Sequence, residues 1–391
     1  MSALGCSVDA FWRSLVDART AIAPADPALQ LSGSGLWAAI DEGMLPLDLV
    51  RPSALQSSAD FTRYAMLAAE QAMRLAGLQP SADAAVIVGN SMGGFPLVAE
   101  MQDRLRERGA RGVSPKLVPL VSPNVAAARI AWYYKLRGVQ HTISNACASA
   151  LDAVGIAARM IERGEADVAI AGGTEAALCP LLYESLFRSG AISRSDDPHH
   201  AARPFDAECD GFVIADGAAM LVLERVERAN ERSAPVLARI RGYDSTTDGH
   251  SITAPEPSGR HMIRVMRNAL HEAGDLGAPC RTIYAHATGN AVDAIEAKAI
   301  GEVFGAVSPL VTSIKGHTGH ALAADGALAL VAGIEGMHRG FVPPTLGTRN
   351  LDANVSFDVV LGSARAHAYD AFATNAFGLG GQNASLVVSR E

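Results

Sequence analysis

Aromatic side chains are scarce, at 5% of the 391 residues, so small aliphatic groups must supply most of the core packing. The cysteines number five and lie scattered at Cys6, Cys147, Cys179, Cys209 and Cys280. An odd, unspaced set excludes a disulfide framework and fits free thiols in a reducing, cytoplasmic setting. The N-terminus has no basic segment leading into an apolar one, so no signal peptide is expected. No apolar run reaches the roughly 18 residues a membrane span requires. Positive charge is in deficit, with a net charge of −8, which argues against a dedicated nucleic-acid binder. Glycine and hydrophobic residues, in contrast, are plentiful: 37 glycines and 49% hydrophobic residues. That combination predicts a well-buried α/β core with tight turns between strand and helix.

Hydrophobic periodicity divides the chain into alternating helices and strands. Helical patterns cover 7–16, with Ser7 or Asp9 as cap, and 61–75, stopped by Gly77. Apolar strands are expected at 84–88, 167–171, 217–224, 235–243, 282–285 and 384–389. Further helices are expected at 148–163, 227–232, 259–273, 293–304 and 321–339. Such alternation predicts mostly parallel sheets covered by helices. A polar stretch near 230–236 marks a soft boundary, giving an N-terminal half of 1–232 and a C-terminal half of 233–391.

Cys147 sits where a β-prone run meets a helix-prone run, in Ser144-Asn145-Ala146-Cys147-Ala148-Ser149. A thiol at a helix N-terminus is favoured in its nucleophilic, ionised form. The competing reading is a packed core cysteine. Two histidine turns follow later: His286-Ala287-Thr288-Gly289-Asn290, and Lys315-Gly316-His317-Thr318-Gly319-His320. Histidines on glycine-rich turns at element ends can act as base or hydrogen-bond donor near neutral pH. Gly89-Asn90-Ser91-Met92-Gly93 also matches the G-x-S-x-G elbow of serine hydrolases, and it follows a strand. Its continuation into Gly93-Gly94-Phe95-Pro96 is equally that of a plain glycine-rich strand exit. A zinc set of Cys147, His286, His317 and His320 lacks the neighbouring ligands a closed site needs, so no metal is expected.

Together these segments resemble the β-ketoacyl-acyl-carrier-protein synthases (ketosynthases) of the thiolase superfamily, across nearly the whole chain. Ser144 to Ser149 resembles the family's nucleophile segment. His286-Ala287-Thr288 with Asp293 and Glu296 resembles its first histidine motif, and Lys315 with Gly319-His320 its second. Arg203-Pro204-Phe205-Asp206, Asp210-Gly211-Phe212-Val213, Gly172-Gly173-Thr174-Glu175 and Asn375-Ala376-Phe377-Gly378-Leu379-Gly380-Gly381 complete the set. The run from Asp196 to Asp206 looks most like the ketosynthase subunits of type II polyketide systems.

The resemblance implies a five-layer α-β-α-β-α fold of two similar halves, the first carrying Cys147 and the second both histidines. It implies decarboxylative Claisen condensation, with the acyl group on Cys147 and the enolate stabilised by His286 and His320. The oxyanion hole would be the backbone N–H groups of Cys147 and Leu379, with Phe377 beside the gate. Lys315 and Glu296 would form an ion pair that orders the histidine turns. Thr288 and Asn290 would meet the pantetheine arm. No cofactor is implied, because substrates arrive on the phosphopantetheine of an acyl carrier protein. The other partner implied is a second subunit, in a homodimer or in a heterodimer with a homologous ketosynthase-like chain. Carrier docking would need a local basic patch, and Met101 to Arg111 is the densest basic stretch, with a merely solvated helix face as the other reading.

Several positions depart from the family's pattern: Ala287 for glycine, Asn290 for threonine, Leu379 for a gating phenylalanine, Cys209 for arginine and Asp325 for a small apolar residue. A buried carboxylate at 325 would need a partner or a raised pKa. The first sheet is expected to lack an edge strand. Two other functions compete: a non-elongating or partner-dependent subunit of a polyketide assembly, and a CoA-using thiolase or acyltransferase.

Overall fold

Helix α1 (Val8–Val16) shows how closely the local pattern is followed. The Ser7 hydroxyl accepts from the Ala10 N–H, and Phe11, Trp12 and Leu15 form the buried face. Helix α2 (Asp60–Ala76) stops at Gly77, which takes a left-handed φ of +57°. These assignments come from a computed structural model that describes residues 1–56, 58–78, 82–274, 280–305 and 307–390.

The first sheet contains β1 (Ala85–Gly89), β2 (Gln140–Ile143), β3 (Val168–Glu175) and β4 (Gly217–Glu224), in spatial order β2-β1-β3-β4. The second contains β5 (Arg239–Thr247), β6 (Thr282–Tyr284), β7 (Leu310–Thr312), β8 (Asp358–Val359), β9 (Ala371–Phe377) and β10 (Gln382–Ser389), in order β8-β7-β6-β9-β10-β5. Strands β2-β1-β3-β4 correspond to β7-β6-β9-β10, so the two halves share one winding. The second sheet adds β5 beside β10. Beside β4, among the described residues, only Met1 and Ser2 form bridges, at Gly217 and Ala218. Neither sheet is wholly parallel: β4 runs antiparallel to β3, and β10 runs antiparallel to both β9 and β5. The mostly parallel expectation therefore holds for the strands that carry the site and fails at one side of each sheet.

Five layers result. Helices α2 and α4 (Val125–Tyr134) cover the outer face of the first sheet; α3 (Phe95–Arg108) follows β1. Helices α5 (Ser149–Glu162) and α8 (Asp325–Arg339) lie between the sheets and touch each other. Helices α6 (Arg260–Glu272) and α7 (Val292–Phe304) cover the second sheet's outer face. The largest buried cluster fills the middle layer, and alanine dominates it: Ala148, Ala150, Ala153, Ala157, Ala324 and Ala327 are all fully buried. Small side chains let both central helices approach the sheets closely, which explains how a core with few aromatics packs. Several sequence boundaries move. Helix α8 begins at Asp325, because residues Leu322–Ala324 form a 3-10 turn with Leu322 at φ +45°. Strand β5 begins at Arg239, and β3 continues through the glycines to Glu175.

Candidate active site

Cys147 lies on the 3-10 turn Ala146–Ala148, between the end of β2 and the start of α5. Ala146 holds a left-handed φ of +47°, a conformation that costs energy for a residue with a Cβ. The Asn145 N–H donates to the Ser149 hydroxyl, and the Ser149 hydroxyl donates to the Ala146 carbonyl. Asn145 also donates to Asp152, so the turn is tied to the first two turns of α5. Cys147 is part-buried, whereas Cys6, Cys179 and Cys280 are buried.

His286 follows β6, and His320 follows the short helix Lys315–Thr318 after β7. The Cys147 Sγ lies 3.2 Å from His320 Nε2. The sulfur and one ring nitrogen of each histidine all fall within 4.8 Å of one another. The two imidazoles meet edge to face, centroids 5.5 Å apart, and Phe377 packs 5.9 Å from His286. His320 is pinned by its backbone: its N–H donates to Val213 and its carbonyl accepts from Ala215. Gly319 permits this seating with a φ of +69°, where a Cβ would lie 3.0 Å from the Val213 oxygen.

The carboxylates act differently from the expected pattern. Lys315 pairs with Asp325 at 3.4 Å, and no Lys315–Glu296 ion pair occurs among the described residues. Glu296 instead accepts the backbone N–H groups of His286 at 2.9 Å and Ala287 at 2.7 Å. Asp293 accepts those of Thr288, Gly289 and Phe205. Both carboxylates of α7 thus hold the His286 turn through its peptide bonds. Burial outweighs these hydrogen bonds and pushes the Glu296 pKa up to about 7.

Asp325, the departure from the small apolar pattern, has partners on three sides. Its carboxylate accepts from His320 Nδ1, from the Ala321 N–H at 3.1 Å, and pairs with Lys315. Burial alone would raise its pKa; the Lys315 and His320 charges overcome that and hold it below the usual carboxylate range. For His320, burial favours the neutral form, but the Asp325 and Cys147 charges outweigh it and raise the pKa. His286 is the opposite case: burial first, then Lys315, hold its pKa well below the ordinary value. Two adjacent imidazoles are therefore tuned apart.

Other expected residues divide. The Thr288 hydroxyl is buried without a hydrogen-bond partner. The Asn290 side-chain oxygen accepts from the Val292 N–H at the start of α7, which leaves its amide N–H groups and one oxygen lone pair for a substrate. Leu379 is 63% exposed on the turn between β9 and β10. That turn packs onto Cys147: a Cβ added at Gly378 would lie 3.0 Å from the Asn145 oxygen and 3.3 Å from the Cys147 nitrogen. His317 lies apart, its ring nitrogens facing the carbonyls of Arg19 and Pro344, and ties loops together. Ser91 is no exposed nucleophile, since its hydroxyl donates to the buried Glu175. The arginines of α3 face acids of their own helix: Arg104 pairs with Glu100 and Arg106 with Asp103. Asp325 was legible as a departure, but its contact with His320 was not.

Fold and comparisons together define an acyl-transfer enzyme of the thiolase superfamily. The description "Beta-ketoacyl synthase, N-terminal domain" matches residues 1–229, and its C-terminal counterpart matches residues 237–349. The chain belongs to the beta-ketoacyl synthase family. It is 35% identical to the 3-oxoacyl-[acyl-carrier-protein] synthase 2 of Coxiella burnetii, over 100% of this chain and 96% of that one. It superimposes on the ishigamide ketosynthase/chain length factor with a TM-score of 0.91 and 28% identity, covering 100% of this chain and 96% of that one. A type II polyketide acyl-carrier protein in complex with its ketosynthase, bound to the hexaketide, aligns with a TM-score of 0.88. Identity there is 26%, over 100% of this chain and 97% of that one.

Proposed function

We propose that this chain condenses an acyl group held on Cys147 with a malonyl-carrier thioester, losing CO2, in fatty-acid or polyketide-type chain building. One observation carries the reading: Cys147, His286 and His320, from three separate segments, bring one sulfur and two ring nitrogens within 4.8 Å. Cys147 attacks the incoming thioester carbonyl, and the pantetheine thiol leaves with a proton. The malonyl thioester then enters, and its carboxylate departs as CO2. His286 and His320, the latter once its Nε2 has regained a proton, hydrogen-bond the thioester oxygen and stabilise the enolate as it forms. The enolate carbon attacks the acyl-cysteine, and a β-ketoacyl chain two carbons longer leaves on the carrier.

The remaining roles follow the geometry. The N–H groups of Cys147 and Leu379 receive the acyl oxyanion, supported by the close seating of Gly378 on the Cys147 turn. Thr288, whose hydroxyl is buried and unpaired, meets the pantetheine arm. Glu296 and Lys315 are positioning residues. The halves divide at 232/233, in line with one sheet drawn from 85–224 and the other from 239–389. The partners are an acyl carrier protein and a second ketosynthase-like subunit, identical or homologous. No helix among the described residues is long and apolar enough to cross a membrane. Five free thiols support a reducing, cytoplasmic compartment.

The test is intact-protein mass after incubation with a panel of acyl-carrier thioesters, with Cys147→Ala alongside. An acyl-sized increase on the wild type alone is expected, reversed on adding malonyl-carrier protein with release of CO2. An increase that persists in Cys147→Ala, or its absence with every donor, would overturn the reading.

A further inference from the structure

We infer that Cys147, His320 and Asp325 form a general-base relay that gives this enzyme a second activity, the transfer of the Cys147 acyl group to water. The inference rests on Cys147 carrying an acyl group, and it adds a route for that group that needs no malonyl substrate.

Asp325 fixes where the proton of His320 sits. An ionised carboxylate only accepts hydrogen bonds, so the nitrogen facing it must carry the proton. His320 Nδ1 faces Asp325, and in neutral His320 the proton is therefore on Nδ1. The other nitrogen, Nε2, then presents a lone pair to the Cys147 sulfur, 3.2 Å away. A nucleophile, an imidazole and a buried carboxylate in that sequence of contacts can take a proton from the nucleophile and return it to the leaving group.

The groups facing His320 are few, and they agree. Asp325 at the start of α8 meets Nδ1, and Cys147 at the start of α5 meets Nε2. Lys315 pairs with the carboxylate, and His286 meets the His320 ring edge to face. Asp325 is held ionised by Lys315 and by the Ala321 N–H, so it has no proton to give Nδ1.

Each step balances. During acylation the departing thiol takes the proton from Nε2 and leaves neutral His320 beside the acyl-cysteine. A water molecule adjacent to Nε2 attacks the thioester carbon as Nε2 takes its proton. The carbon–sulfur bond breaks, the sulfur leaves as thiolate, and Nε2 returns the proton to it. The products are a free carboxylic acid and the original cysteine, with no oxidant, reductant or metal consumed.

The test uses 4-nitrophenyl hexanoate, which loads a reactive cysteine without carrier recognition. The nitrophenolate burst counts acylated chains, and the later steady rate measures acyl loss per acylated chain. The wild type is expected to turn over, with a deacylation rate that rises with pH as His320, whose pKa the Asp325 charge raises, becomes neutral, since only neutral His320 can act as base. Asp325→Asn keeps the shape and removes the charge. It is expected to lower deacylation per acylated chain by about 10- to 100-fold and to move the profile to lower pH. Asp325→Ala should shift the His320 nitrogen NMR signals to the Nε2–H form, which a packing role would not do. Equal deacylation per acylated chain in wild type and both variants, or an unmoved pH profile, would overturn the relay. Absence of any burst in the wild type would instead strike at Cys147 as acyl carrier.

Discussion

Lys315 sits between two opposed demands. Its ammonium keeps Asp325 ionised, and the same charge helps hold His286 neutral. Neutral His286 is the form that can donate to a developing enolate while its neighbour His320 carries charge. Removing the cation should then expose the sign of the coupling. In Lys315→Met one of the causes lowering the His286 pKa is gone, so the pKa rises. The acid limb of malonyl-carrier decarboxylation should move to higher pH, and the plateau should fall by roughly 10- to 100-fold from the loosened Asp325. Release of CO2 measured across pH reads both, and a limb that stays in place would refute the coupling. This wiring was only partly visible in the sequence. Cys147, His286 and His320 announce themselves through short motifs, because each is placed by the turn it sits on. The partner of Lys315 does not. It lies ten positions along, and the 3-10 turn Leu322–Ala324 brings it back. Nor does spacing reveal that Glu296 aims its oxygens at the peptide N–H groups of His286 and Ala287, where no side chain marks the donor.

At the scale of elements, three loops are locked together and none can be adjusted alone. The Cys147 turn leans on the turn between β9 and β10, and the His320 turn hangs on the Val213 and Ala215 backbone. Strand ends deliver these loops, and helix α7 braces the third through its two carboxylates. Gly378 is a close joint, since a methyl group there meets the Asn145 oxygen and the Cys147 nitrogen. Gly378→Ala should therefore push the Leu379 N–H away from the acyl carbonyl. An intrusion of this size costs about 1–3 kcal/mol, or roughly 5- to 150-fold if it falls on the acylation transition state. Burst kinetics together with the melting temperature distinguish a displaced hole from a destabilised fold. Acylation at the wild-type rate would show that the turn does not position the donor. Most helices were legible from periodicity and caps, as with Ser7 and Gly77. Helix α3 was obscured by its glycine-rich entry. The interlocking of the loops was not legible, because it depends on backbone approaches that leave no periodic trace.

At the scale of the whole molecule, the first sheet ends in an edge strand. Strand β2 pairs with β1 on one side only, and its residues Gln140 and His141 are exposed. Val139 beside it is 38% exposed, and Trp132 on α4 is 56% exposed. An unpaired strand edge flanked by apolar surface favours pairing with a second strand. Residues on a parallel strand turn both backbone groups to one neighbour, in alternation. Asn90 donates to the Ile143 carbonyl and Val86 to that of Val139, so Gln140 and Thr142 direct their groups outward. This edge also leads within a few residues to Cys147, so pairing across it would set the walls of two active sites side by side. Thr142→Pro removes one outward N–H and cannot rejoin such a ladder. The wild type should sediment at twice the chain mass, alone or with a homologous subunit. The variant should shift toward the single-chain mass, and its acylation should fall with the dimer fraction. A wild type that stays at the single-chain mass even with a ketosynthase-like partner present would leave β2 as a protected edge and the site as one chain's own.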